Sequence, residues 1–315
     1  MKTAVVILNW NTREYLLRWL PPLIQSCHPA DAGVIVADNA STDGSLEMMA
    51  ERFPDIRTIA LDSNYGFTGG YNRAIGRILD GPDAPGYIVL INSDIEVADG
   101  WLEPLVAYMD AHPQCGVCGP KLHKLERTAD GGYARSDRFE YAGAAGGMLT
   151  RHGFPYCRGR ILKHTSVDKG QYDSGPADVE WISGACFMTR SALWRELGGL
   201  DDRFFAHMEE IDYCWRARRA GWKVTCVPSS VVWHLGGGTL PQGSPFKLKL
   251  NFRNSLLMLA GNLPEAVGSK SAERMIRTRM AMDRCIAAIY RLSGRKANAD
   301  AVREAHDEFK KMQTI

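Results

Sequence analysis

Val5-Val6-Ile7-Leu8-Asn9-Trp10-Asn11 decides how the rest of this sequence reads. With Ala4 it forms an unbroken apolar run that ends in amides, the pattern of a strand buried on both faces. Similar β-like runs follow at residues 34–37, 56–61 and 87–91. Helical periodicity fills residues 15–24, 46–53 and 71–79 between them. Short apolar runs alternating with helices predict βαβ units, hence an α/β fold with a mostly parallel central sheet and helices on both faces. Right-handed crossovers then bring the carboxyl ends of the strands to one edge, where ligands of such sheets bind. Polar clusters fall at three of those ends: Asn9-Trp10-Asn11, Asp38-Asn39-Ala40-Ser41-Thr42-Asp43-Gly44 and Asn92-Ser93-Asp94.

Outward from this frame, the 315 residues suffice for one large domain or two small ones, with 45% apolar and 23% charged residues. That balance excludes a disordered or fibrous chain. Thirty-eight Lys and Arg against 36 Asp and Glu leave a net charge of +2, which argues against a nucleic-acid partner. No signal peptide and no apolar stretch of the ~18 residues a spanning helix needs is visible. The expected setting is the cytoplasm, or the inner face of the cell membrane. The eight cysteines lie mostly within apolar runs and read as reduced core residues. Cys115 and Cys118 form a C-x-x-C, but no second pair follows at zinc-binding spacing.

Residues 122–175 are rich in Gly, Arg and Tyr and predict loops with a small antiparallel part. Order returns over residues 179–189, followed by helices from 190 and over 208–220, and short strands at 224–228 and 231–234. Gly236-Gly237-Gly238 reads as a hinge. From residue 246 to the end the pattern is a helical C-terminal extension, broken at 261–264 and at Ser293-Gly294. The expected division is a catalytic region over 1–240, with halves at 1–121 and 122–240, and a helical region over 241–315.

Each polar motif has a plain structural reading beside its functional one. Ser41 or Thr42 suits helix capping, but a carboxylate directly after a buried strand, Asp38, can also accept hydrogen bonds from a ribose or a base. Asn64-Tyr65-Gly66-Phe67-Thr68-Gly69-Gly70-Tyr71-Asn72 opens a helix with glycines, as a phosphate cradle or a loop-to-helix turn does. Asp94, at the exit of a central strand, is placed to hold Mg²⁺ or Mn²⁺ or to form a turn. Glu209-Glu210-Ile211-Asp212 puts three carboxylates in a first helical turn, where they favour the helix dipole. With Phe204, Phe205 and Trp215 beside it, part of that cluster should lie against apolar surface and serve as a general base. His234, at a strand end, could be structural or supply a nitrogen to the ion on Asp94.

Taken in order, these segments resemble the family-2 inverting glycosyltransferases of GT-A fold, and within them the rhamnosyltransferase-like enzymes of bacterial cell-surface polysaccharides. The resemblance runs over roughly residues 3–240 and includes Trp181-Ile182-Ser183-Gly184-Ala185, Gly198-Gly199-Leu200-Asp201 and His234-Leu235-Gly236-Gly237-Gly238. It implies that Asp38 meets the base or ribose of a nucleotide-sugar, with Asn9 in the same pocket. It places Asn64, Gly66, Asn72 and Asn92 near the donor diphosphate. It assigns a divalent cation, Mg²⁺ or Mn²⁺, to Asp94 with His234, although the first acid of the family's metal motif is here the neutral Asn92. The family's Glu-Asp-x-Asp becomes Glu-Glu-x-Asp, so Glu210 stands where the base stands. Trp181, Gly184, Glu209 and Asp212 would support the acceptor side.

The partners so implied are a UDP- or dTDP-linked sugar donor and a saccharide or lipid-linked acceptor. The basic and apolar residues of 247–259 and 273–291 suit a peripheral membrane contact, packing on the catalytic region, or a homodimer through the C-terminal helices. A nucleotide-sugar-forming nucleotidyltransferase and an inactive nucleotide-sugar-binding protein remain the alternative readings. The first lacks its basic Gly-rich loop after the opening strand, and the second is suggested by Asn92 and Glu210.

Overall fold

The computed structural model describes residues 1–162, 164–236 and 243–313. The expected alternation is present: β1 (Thr3–Asn9), α1 (Arg13–Cys27), β2 (Ala32–Asp38), α2 (Ser45–Arg52), β3 (Arg57–Ala60), α3 (Gly66–Leu79) and β4 (Tyr87–Asn92). There follow β5 (Ile95–Val97), α4 (Glu103–Ala111), the long β6 (Cys115–Arg127) and β7 (Tyr133–Phe139). Short strands come next: β8 (Gly147–Leu149), β9 (Pro155–Cys157), β10 (Arg160–Ile161), β11 (His164–Thr165) and β12 (Ala177–Asp178). The order closes with β13 (Cys186–Arg190), α5 (Ser191–Leu197), α6 (Glu209–Arg219), β14 (Lys223–His234), α7 (Pro245–Val267), α8 (Ser269–Leu292) and α9 (Lys296–Gln313).

The main sheet runs β12-β14-β6-β13-β4-β1-β2-β3, with β5 added to β14 and β7 to β6. Six of the eight strands on that path point the same way, and β13 and β12 run against them. Strands from both sides of residue 121 therefore lie in one sheet, and residue 121 itself is within β6. Both faces are covered, which is why the strands read as continuous apolar runs. Val6, Ile35 and Leu90 face a core with Tyr71, Ile75 and Phe187. Val5, Val36 and Val89 face a second core with Leu16, Leu20 and Trp101. Cys115 and Cys118 are buried in β6 as free thiols, as the apolar context predicts.

Two local expectations are corrected. The strands expected at 224–228 and 231–234 are one strand, β14, whose register slips between Cys226 and Val231. Pro228 lies in that interval and cannot donate to a ladder. The break expected at 261–264 is absent, because α7 passes through Pro264 and stops at Gly268, where φ is +81°. Asn262 and Leu263 are buried there, so packing outweighs the one bond Pro264 removes. No helix among the described residues is long and apolar enough to cross a membrane. Gly237 and Gly238, two of the three hinge glycines, lie outside the described residues.

Candidate active site

The register sets the predicted edge residues side by side. Asn9 pairs with Asp38 across β1 and β2, and Leu8 with Asn92 across β1 and β4. Asp38 is only 1% exposed and both of its oxygens are engaged. Asn9 Nδ2 donates to Oδ2 at 2.7 Å, and the Ser41 N–H donates to Oδ1 at 2.8 Å. Thr12 Oγ1 locks Asn9 from behind, donating to Asn9 Oδ1 at 2.5 Å. A carboxylate oxygen accepts more than one hydrogen bond, so this bracing orients Asp38 and leaves lone pairs for a ligand.

Asn39, which sequence reasoning left inside a longer motif, is the hub of the next cluster. Its amide donates to Asn64 Oδ1 and to the Gly66 carbonyl, both at 3.0 Å, and its oxygen accepts from the Tyr65 N–H at 3.0 Å. Asn64 Oδ1 also accepts from the Gly66 N–H at 2.9 Å. Gly66 opens α3 at φ +70°, and a Cβ there would lie 2.4 Å from the Phe205 ring, so the turn requires glycine. Asn72 is turned elsewhere. It donates to the Leu200 carbonyl and to Asp202 Oδ1, each at 2.7 Å, and accepts from the Leu200 N–H at 2.9 Å. Its amide ties α3 to the turn after α5.

A charged cluster sits where β4 and β14 end. His234 Nε2 is 3.2 Å from Asp94 Oδ1 and 3.4 Å from Asn92 Nδ2, and its Nδ1 lies 3.7 Å from Glu140 Oε1. Burial opposes charge on both Asp94 and His234. Their mutual attraction outweighs it, so Asp94 is held below the usual carboxylate range and His234, drawn also by Glu140, is raised to about 10. Glu140 was invisible in the sequence because it comes from the irregular region between β7 and β8.

Mg²⁺ and Mn²⁺ commonly take one or two protein ligands and leave the remaining positions to phosphate and water. Asp94 with His234 is a donor set of that partial kind, and the buried His234 Nδ1 has no hydrogen-bond partner. Among the described residues there is no group of three or more His, Cys, Asp and Glu side chains arranged as a full cage. Asp94 would be the first protein ligand of a cation shared with a diphosphate, and His234, raised to about 10 beside it, would have to release its proton to join.

The acid pair opens α6 immediately after an unusual turn. Phe205, His207 and Met208 all have positive φ, at 64°, 71° and 73°. Such non-glycine conformations cost about 1–3 kcal/mol each and persist only where the surroundings enforce them. Here the N–H groups of Phe67 and Thr68 donate to the Phe205 carbonyl at 2.7 and 3.2 Å, fixing the turn to the start of α3. Burial raises Glu210 to about 7, against the pull of backbone N–H groups that include those of Ile211 and Gly184. Burial together with the Glu210 charge pushes Glu209 well above the ordinary range. One Oε2 on each glutamate is buried without a partner.

Gly184 sits against this pair, where a Cβ would lie 3.4 Å from Glu210 Cβ and 3.5 Å from Phe67 Cζ. The next residue, Ala185, accepts the Asn92 N–H at 2.9 Å. One short segment therefore joins the acid pair to the Asn92–Asp94 corner. Trp181 is a packing residue: it is 3% exposed, covers Gly147 and donates from Nε1 to the Met148 carbonyl at 3.1 Å. Asp212 accepts from Arg216 at 2.7 Å and from Asn262 of α7 at 2.8 Å, which makes it a brace. His207, unmarked in the sequence, is pushed down to about 4 by burial and by Lys247, and is neutral at pH 7.

A mostly parallel sheet covered on both faces, with Asp38, Asp94 and His234 at its strand ends and the acid pair opening α6, is the architecture of a GT-A glycosyltransferase. The chain belongs to the family described as glycosyltransferase like family 2, whose model matches residues 2–255. An N-acetylglucosaminyl-diphospho-decaprenol L-rhamnosyltransferase of Mycobacterium tuberculosis is 26% identical over 262 residues, covering 81% of this chain and 83% of that protein. Solved structures share the fold. GalNAc-T7 with UDP, GalNAc and Mn²⁺ superposes with a TM-score of 0.59 at 16% identity, over 82% of this chain and 48% of that one. A mannosyltransferase from Pyrobaculum calidifontis with GDP-Man and Mn²⁺ gives 0.54 at 13% identity, over 98% of this chain and 86% of that one.

Proposed function

We propose that this glycosyltransferase moves a sugar from a UDP- or dTDP-linked donor to a hydroxyl of a saccharide or lipid-linked saccharide, with inversion. Glu210 accepts the proton of the acceptor hydroxyl as its oxygen attacks the anomeric carbon. The bond from that carbon to the diphosphate oxygen breaks, and the nucleoside diphosphate leaves with the electron pair. Asp38, steadied by Asn9, meets the base or ribose, while Gly66, without a side chain, lets the diphosphate approach the turn at Asn64 closely. Asp94, with His234, would hold a divalent cation, which supplies charge to the leaving diphosphate.

The observation that carries this reading is Glu210, a buried carboxylate raised to about 7 in the first turn of α6, against Gly184 and one segment from the Asn92–Asp94 corner. A base poised near the working pH is the form general-base catalysis needs. The lipid-linked acceptor is suggested by the mycobacterial relative, which acts on an N-acetylglucosaminyl-diphospho-decaprenol. The test is turnover of a panel of nucleotide-sugars with Mg²⁺ or Mn²⁺, with NMR assignment of the product's anomeric configuration. Retained configuration, or nucleotide-sugar synthesis from a sugar phosphate, would refute it.

A further inference from the structure

The C-terminal extension touches the acid pair's turn through two adjacent buried residues of α7. Asn254 Nδ2 lies 2.9 Å from the Phe204 carbonyl oxygen and 2.8 Å from those of Ala206 and His207. Arg253 Nη2 donates to the carbonyls of Phe204 at 2.9 Å and Arg203 at 3.2 Å. Arg253 Nε also donates to Asn254 Oδ1 at 2.9 Å, which sets the amide's orientation. Behind both, Arg253 Nη1 bonds Glu308 of α9 at 3.0 Å, and Lys249 bonds the same carboxylate at 2.7 Å. Buried carbonyls of an irregular turn need donors. The donors come from α7.

We propose that Arg253 and Asn254 are positioning residues for the transfer reaction: by gathering the carbonyls of Arg203, Phe204, Ala206 and His207 they enforce the turn that aims Glu209 and Glu210 at Gly184. The inference rests on the assignment of Glu210 as base. It makes the extension part of the active site's construction, acting on the reaction through the turn rather than by touching substrate. A turn released from these donors relaxes toward ordinary φ values, and the start of α6 moves with it.

The experiment compares Asn254→Ala and Arg253→Lys with Val302→Ala, which removes a buried methyl pair of α9 that has no bond to the turn. Each full-length variant is measured for kcat, donor KM, the pH midpoint of kcat, and folding by circular dichroism. Glutamate side-chain carboxyls labelled with ¹³C are titrated by NMR in parallel. Asn254→Ala should lower kcat by about 10–100-fold, the scale of a displaced catalytic group. Donor KM should stay within about threefold, because ground-state binding is untouched. The pH midpoint and the highest-titrating carboxyl signals should move together by at least about half a unit, since the pair's surroundings change. Val302→Ala should lower stability alone.

Losses in proportion to the folded fraction, with unmoved midpoints in both α7 variants, would overturn the positioning role. Should Asn254→Ala fail to fold, Arg253→Lys carries the same comparison, because it keeps the charge facing Glu308 and loses the planar fork. A wild-type protein without transferase activity, whose carboxyl titration still moves in Asn254→Ala, would refute the proposed function and leave the positioning intact.

Discussion

Glu210→Gln separates the two consequences of a buried, raised carboxylate. Gln keeps the size and the hydrogen-bonding surface but cannot accept a proton at the working pH. Transfer should fall by about 10²–10⁴-fold, the usual contribution of a general base, while donor affinity holds within a few-fold. With the carboxyl at about 7, wild-type kcat should rise through a limb centred near pH 7. Below it the rate should drop about tenfold per pH unit, and the residual rate of the variant should lack that limb. Burial and the neighbouring Glu210 charge push Glu209 well above the ordinary range and so favour its neutral form, and Glu209→Gln should be the milder of the two changes. The reverse ranking would mean that Glu209 is the base.

The same substitution has a stability signature whose sign follows from linkage. Glu210 has its folded pKa raised from 4.5 to about 7, so the native state holds the proton more tightly than the unfolded chain. Below pH 4.5 both states are protonated and the group contributes nothing. As pH rises through the window from 4.5 to about 7, native stability is lost, reaching about 3 kcal/mol at 1.36 kcal/mol per unit. The variant lacks this penalty. Thermal unfolding at pH 8 should therefore show Glu210→Gln melting higher than wild type, on the order of 5 °C for a chain of this size. At pH 4.5 the two should coincide. Equal melting at both pH values, with an unchanged kcat limb, would refute the raised carboxyl and the base assignment together.

The remaining expectations concern the other corners of the site. Asp38→Asn should weaken binding of the donor nucleotide by calorimetry, at least about tenfold for the loss of charge-assisted hydrogen bonds; unchanged affinity would make Asp38 a turn residue only. Transfer should fall in EDTA and return with Mg²⁺ or Mn²⁺, and Asp94→Ala should lose both activity and this dependence; full activity in EDTA would remove the cation. Gly184→Ala should melt within a few degrees of wild type, since its new methyl meets neighbours at ordinary contact distances of 3.4–3.7 Å. It should nevertheless slow transfer, because the methyl lies between Phe67 and the acid pair.

The β-sheet was legible because β1, β2 and β4 are buried on both faces, so residues 4–8, 34–37 and 87–91 announce themselves as apolar runs without alternation. Asn9, Asp38 and Asn92 were legible for the same reason: polar groups at the ends of such runs must lie at one edge of the sheet. Local pattern misplaced one boundary of the helical extension. Gly261 and Pro264 look like a stop, yet the contacts of Asn262 with Asp212 and of Leu263 with the core carry α7 past them. Asn72 shows the converse limit. The resemblance puts it near the donor diphosphate, and only the tertiary structure reveals that Leu200 and Asp202 are its partners within the fold.

What the sequence could not show are bonds between backbone and distant side chains, because a carbonyl oxygen carries no residue identity. Arg253 and Asn254 read as polar interruptions in an apolar helix, with nothing to say that their partners are the carbonyls of Arg203, Phe204, Ala206 and His207 some 50 positions earlier. Glu140 reads as one acid in an irregular stretch until His234 is seen beside it. Both cases join a regular element to a loop, and both bear on the orientation or charge of a group that the pattern did reveal. The pattern locates the reactive side chains, since their chemistry is written in residue type. Their aim and ionisation come from the packing around them, and here part of that packing belongs to helices beyond residue 244.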